Sequence, residues 1–163
     1  MKTQFIPQSF TVPHALKTDS FYFRVLEDSL AAFDYEAVMT SLEKLTSIFG
    51  PDTTWPNKNM TLNDNIASLK VHKQEFKSRE AFAYSVFNQT NDRCLGCVYI
   101  DPSQSSHYDC EVYLWVRSDS AMLDQQLYTV VLDWLKQDWP FTNIAFPGRE
   151  ITWHEWTEQL NRN

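Results

Sequence analysis

The residues with the plainest chemical potential lie around Glu111, in the run Tyr108-Asp109-Cys110-Glu111-Val112-Tyr113-Leu114-Trp115-Val116-Arg117. The run alternates strictly. As a strand it puts Cys110, Val112, Leu114 and Val116 on one face and Asp109, Glu111, Tyr113, Trp115 and Arg117 on the other. A carboxylate beside two aromatic rings can be partly desolvated, which raises its pKa and suits it to taking a proton from a bound substrate. The alternative for Glu111 is a solvated or ion-paired carboxylate. Asp109, nearer the strand end, is a weaker candidate. His154 and Tyr128 can return a proton to a leaving group. Each also has a plain reading: a surface histidine, and a ring packed beside Leu127 and Val131 with a wet hydroxyl.

Directly after this strand, Ser118-Asp119-Ser120 offers three helix-capping residue types, and Leu123, Leu127, Val130, Val131, Trp134 and Leu135 recur at helical spacing. A strand feeding straight into a helix N-terminus leaves backbone N–H groups free to hold a phosphate or another anion. Arg149, in Phe146-Pro147-Gly148-Arg149, is a second anion candidate or an exposed arginine on a Pro-Gly turn. Cys94-Leu95-Gly96-Cys97 spells CxxC. In a regular strand its two thiols face opposite ways, ~10 Å apart, which argues against a disulfide and against zinc shared with His107 and Cys110. His72 borders the Leu69/Phe76 stripe, where a satisfied boundary histidine is the ordinary occupant.

These groups need elements to hold them. Strands are expected at Phe21–Leu26, Ala81–Phe87, Cys94–Ile100, Tyr108–Arg117 and Asn143–Phe146. Helices are expected from a cap at Asp34 to Phe49, from about Leu62 to Arg79, after Ser120, and through Ile151, Trp153, Trp156 and Leu160. Residues 1–20 read as irregular. The order is β-α-α-β-β-β-α-β-α, an α/β chain with helices on both faces of a twisted mixed sheet, whose last strand–helix–strand unit makes two strands parallel.

With 163 residues, 43% of them apolar, the chain can bury one sizeable core, so residues 1–163 form one domain. A net charge of −7 without a basic stripe argues against nucleic acid. No run approaches the ~20 apolar residues of a membrane span. Three cysteines, an odd number, suit a reduced, cytoplasmic protein better than a disulfide framework.

The element order and the anion-suited turn resemble the GNAT superfamily of acyl-CoA-dependent N-acetyltransferases, over roughly residues 21–160. Leu95-Gly96-Cys97-Val98-Tyr99-Ile100 looks like that family's third strand, Glu111-Val112-Tyr113-Leu114-Trp115-Val116 like its fourth, and Leu127, Val131 and Trp134 like the apolar face of its third helix. The resemblance implies acetyl-CoA as co-substrate. Its pantetheine arm would lie along Leu114, Trp115 and Val116, and its diphosphate over Arg117, Ser118, Ser120, Ala121, Met122 and Leu123. A primary amine on a small molecule or peptide would attack the thioester directly, with Glu111 as base and His154 or Tyr128 as acid. The acidic surface favours a cationic acceptor. The chain departs from the family at its loop signature, Arg/Gln-x-x-Gly-x-Gly/Ala, whose positions hold Ala121, Asp124 and Gln126. The tyrosine usual in the family's last helix is also absent. A non-catalytic module that keeps the fold and binds another ligand or a protein is the second reading. A homodimer, with a strand supplied by the partner after the last helix, stays open.

Overall fold

The computed structural model describes residues 4–162. Six strands form one sheet in the order β1-β2-β3-β4-β5-β6: β1 Ala15–Lys17, β2 Tyr22–Val25, β3 Phe82–Phe87, β4 Cys94–Pro102, β5 Cys110–Val116 and β6 Ile144–Ala145. Pairing is antiparallel except between β5 and β6. The helices are α1 Ala31–Met39, α2 Leu42–Leu45, α3 Leu62–Lys77, α4 Asp124–Asp138 and α5 Trp153–Asn161. The mixed α/β sheet is the one expected. Among the described residues no helix is long and apolar enough to cross a membrane.

Each face of the sheet carries its own core. Val112, Leu114 and Val116 pack with Leu127, Val131, Trp134 and Leu135 of α4. Tyr113 and Trp115 face the other way, with Ala37 and Val38 of α1 and Leu69 of α3. All seven residues of β5 are buried, so alternation here separates two apolar layers. The α3 start is fixed by a capping box: Thr61 Oγ1 accepts from Asp64 N–H at 3.1 Å, and Asp64 accepts from Thr61 N–H at 2.9 Å.

Three features differ from expectation. Residues 15–17 form an edge strand too short to leave a periodic signal. The helix expected from Asp34 to Phe49 begins earlier, behind a 3-10 turn at Asp28–Leu30, and breaks after Met39, where Thr40 Oγ1 bonds back to Glu36 C=O at 2.8 Å. Asp34 is therefore no cap; it lies inside α1, 3% exposed. Finally, β4 carries a bulge. Val86 pairs with Gly96 but Phe87 pairs with Cys94, leaving Leu95 extra. The bulge turns Cys94 and Cys97 to the same face, correcting the regular-strand geometry. Gly96 makes this possible, because a Cβ there would stand 1.9 Å from the Trp115 carbonyl oxygen. Both thiols are buried and hydrogen-bonded, Cys97 to Asp34 at 3.3 Å and Cys94 to the Gly96 carbonyl at 3.4 Å. Burial pushes the Cys97 thiol up, away from the reactive thiolate.

Candidate active site

The sheet opens beyond Glu111. β6 pairs with β5 only at Cys110↔Ile144 and Glu111↔Ala145, and the chain then leaves through Phe146-Pro147-Gly148. From Val112 onward, β5 has no strand beside it on that side among the described residues. A cleft of about 430 Å³ fills the gap, with Val112, Tyr113 and Leu114 on one wall and Pro147, Gly148 and Arg149 on the other. Lys44, Ser47 and Ile48 close one end, and Trp153 of α5 another. The Trp153 ring stacks parallel to Tyr113 at 6.3 Å. Gly148, at φ +80°, must lack a side chain, since a Cβ would come within 2.6 Å of the indole.

Glu111 lies one residue before the opening, 2% exposed. Its Oε1 accepts from the Gln104 N–H at 2.5 Å and its Oε2 from the Tyr113 hydroxyl at 2.8 Å. The side chain is outside the cleft lining, but Tyr113, which it holds, is inside. Burial and the neighbouring Glu111 push the Tyr113 phenol up, so it stays protonated and donates. Tyr128 flanks the opposite wall. Its ring meets Phe146 edge-on at 5.1 Å, Arg149 sits over it, and its hydroxyl donates to Glu150. His154 points into solvent, 83% exposed, and meets Glu158 at 3.3 Å. Asp109 is turned to structure, accepting from the Thr142 and Asn143 N–H groups at 2.8 Å.

The turn expected to hold an anion is built differently. Six residues of 3-10 helix, Ser118–Leu123, separate β5 from α4, and no side chain caps either helix. The Ser118 N–H donates to Ser41 Oγ at 2.9 Å and the Ser120 N–H to the Arg117 carbonyl at 3.0 Å. Arg117 is 2% exposed and lies outside the cleft lining. It forks onto Glu36 with two bonds of 2.6 Å, and donates to Asp119 at 2.8 Å and to the Cys94 carbonyl at 3.0 Å. Of the residues expected along acetyl-CoA, Leu114 lines the cleft. Trp115 and Val116 are buried, with the Trp115 indole N–H donating to the Tyr99 hydroxyl at 3.0 Å. Ser120 is buried; Ala121 and Met122 are exposed and Leu123 is half-buried. The positive groups at the cleft are instead Lys44, whose pKa burial lowers, and Arg149, paired with Asp124 through bonds of 2.7 and 3.0 Å.

Sequence pattern marks His72 on its own but does not bring together a second set of groups. Beneath α3, Asp34, Trp55, Asn65, His72, Tyr99 and Asp101 line a cavity of about 180 Å³. In sequence, Asp101-Pro102 reads only as a strand end, and Asp34 only as a cap. No local pattern joins residues 67 positions apart. Burial, with the charges of Glu75 and Glu111 adding, pushes Asp101 up to about 7. Burial lowers His72. Because the folded pKa of Asp101 lies above its unfolded value near 3.8, its contribution to stability is full below pH ~4 and is lost as pH rises to about 7. Glu75 and His72 on α3, Glu111 on β5 and Asp34 on α1 surround it, and the shifts of Asp34 and Glu75 act in the same direction. Urea unfolding at pH 5 and pH 7 should therefore show the wild type losing more stability across that step than Asp101→Asn. Equal losses would remove the account.

No family model and no curated protein matches the chain in sequence. Solved structures do match in fold. The ribosomal-protein-S5-alanine acetyltransferase of Vibrio fischeri aligns with a TM-score of 0.63 and 15% identity, over 91% of this chain and 80% of that one. RimL, a ribosomal L7/L12 α-N-protein acetyltransferase solved with coenzyme A, gives 0.56 and 11%, over 76% and 70%. MccE, the microcin C7 self-immunity acetyltransferase solved with acetyl-CoA and AMP, gives 0.54 and 11%, over 76% and 67%. A parting between its fifth and sixth strands, flanked by helices on both faces, thus sits in a chain whose fold is that of the GNAT acetyltransferases.

Proposed function

We propose that the protein is an N-acetyltransferase that moves an acetyl group from acetyl-CoA to a primary amine. The observation that carries this reading is the opening between β5 and β6, with the free edge of Val112–Leu114 along it. An extended pantetheine arm carries amide groups that suit such an edge, as an added strand would. The buried wall excludes water from the thioester. Lys44 and Arg149 supply positive charge for the diphosphate, a duty the Ser118 and Ser120 amides cannot take while they bond within the protein.

In the transfer, the amine nitrogen bonds to the thioester carbonyl carbon and the C–S bond breaks. The amine proton passes through the Tyr113 hydroxyl to Glu111, since the 2.8 Å bond between them joins the cleft to the buried carboxylate. Tyr128 returns a proton to the thiolate. It stands against the cleft wall, whereas His154 faces solvent.

The occupied Ser118 and Ser120 amides and the Trp153 ring inside the cleft favour a second reading, a module that keeps the fold without binding the cofactor. Thermal unfolding with acetyl-CoA separates the two. At about 100 times its Kd, a ligand adds ~2.7 kcal/mol, roughly 5–10 °C for a chain of this size. An unmoved midpoint at saturating acetyl-CoA would leave the module.

A further inference from the structure

We infer that the cavity beneath α3 is a binding site for an alkylammonium group, and that it receives the acceptor when the chain works as proposed above. The first observation is its chemistry. Asp34 and Asp101 both reach the cavity, with the rings of Trp55, Tyr99 and Phe49 around them. Carboxylates within aromatic walls form the pattern that holds an organic cation, through charge on one side and ring faces on the other. Anions are disfavoured by the same carboxylates, and an uncharged apolar guest would leave both without a counter-charge.

The second observation is a missing counter-charge. Asp34 is 3% exposed and, among the described residues, accepts from the Asn65 amide at 3.0 Å and the Cys97 thiol at 3.3 Å. Among the described residues neither Asp34 nor Asp101 forms an ion pair. Burial holds both carboxyls toward their neutral forms, and a bound ammonium would supply the counter-charge that lets them ionise.

Size and position agree. About 180 Å³ suits a short aminoalkyl group, and a larger groove of about 930 Å³ opens beside it, sharing His72 and Asp101. A long acceptor can therefore lie in the groove with one ammonium end inside, apart from the amine that reacts in the cleft. Asp101 pairs across the strands with Glu111, and Tyr99 with Tyr113. Phe49 touches both tyrosines, at 4.9 and 5.3 Å, and forms the partition between cavity and cleft. An ammonium held at Asp101 is thus one ring away from the Tyr113–Glu111 pair, as a second anchor on the same acceptor would be.

The test uses n-butylammonium as probe, n-butanol as its uncharged counterpart, and no CoA. The readout is the indole N–H resonance of Trp55, identified by its loss in Trp55→Phe. We expect a saturable shift with n-butylammonium, none with n-butanol, and binding at least about tenfold weaker in Asp101→Asn, the loss of about 1.4 kcal/mol. Asp34→Asn serves as the second variant, and the n-butanol comparison needs no variant at all. No shift with n-butylammonium, or equal shifts with n-butanol, overturns the site; so does undiminished binding in both Asn variants. Acetyl-CoA is titrated separately: if the ammonium binds while acetyl-CoA does not, the cavity assignment stands and acetyl transfer falls.

Discussion

Glu111→Gln should lower kcat with acetyl-CoA by roughly 10²–10⁴, the range for loss of a general base, and leave acetyl-CoA affinity unchanged. Glutamine keeps the size of the side chain and an oxygen for the Gln104 N–H, so the loop after β4 stays in place. What it loses is the ability to take a proton. Tyr113→Phe should have a similar effect, because the hydroxyl is the link between cleft and carboxylate. If the two changes act on one relay, the double variant should be no slower than the worse single one. Steady-state kinetics on the three proteins checks this, with acetyl-CoA binding by calorimetry as control. Unchanged turnover in Glu111→Gln would remove Glu111 from the chemistry and leave it the part of a loop anchor.

Arg117→Ala should cost about 2–4 kcal/mol in urea unfolding. The change empties a buried volume and removes four hydrogen bonds, one of them to the buried Cys94 carbonyl. Glu36 and Asp119 are about half exposed, so both can return to water, which keeps the loss below that of an orphaned buried charge. Glu36→Gln should cost less than about 1 kcal/mol, because it keeps the shape and acts at a solvated partner. The contrast matters for function. If Arg117 bound a diphosphate, its removal would weaken acetyl-CoA binding more than stability. With Glu36 in its fork, the expected order is the reverse. A loss of stability under about 1 kcal/mol would contradict the burial on which this rests.

The alternation of residues 108–117 and the helical spacing after it placed β5 and α4 correctly, because burial of an apolar face imposes a period that sequence displays directly. The same rule gave the mixed sheet and the strand bearing Glu111 and Tyr113. It failed where the backbone departs from regular geometry. A single extra residue at Leu95 reversed the relation between Cys94 and Cys97, and no periodicity announces a bulge. It failed also where polar groups choose partners. Arg117 looked free for an anion until Glu36, 81 positions away, met it in space. Asp34 and Asp101 joined one cavity only because α1 and α3 cross the same strand face. Periodicity is a local consequence of solvent exclusion, and so the chain spells it out. Which charge meets which, and where two strands part, depends on contacts distant in sequence, and only the assembled fold decides them.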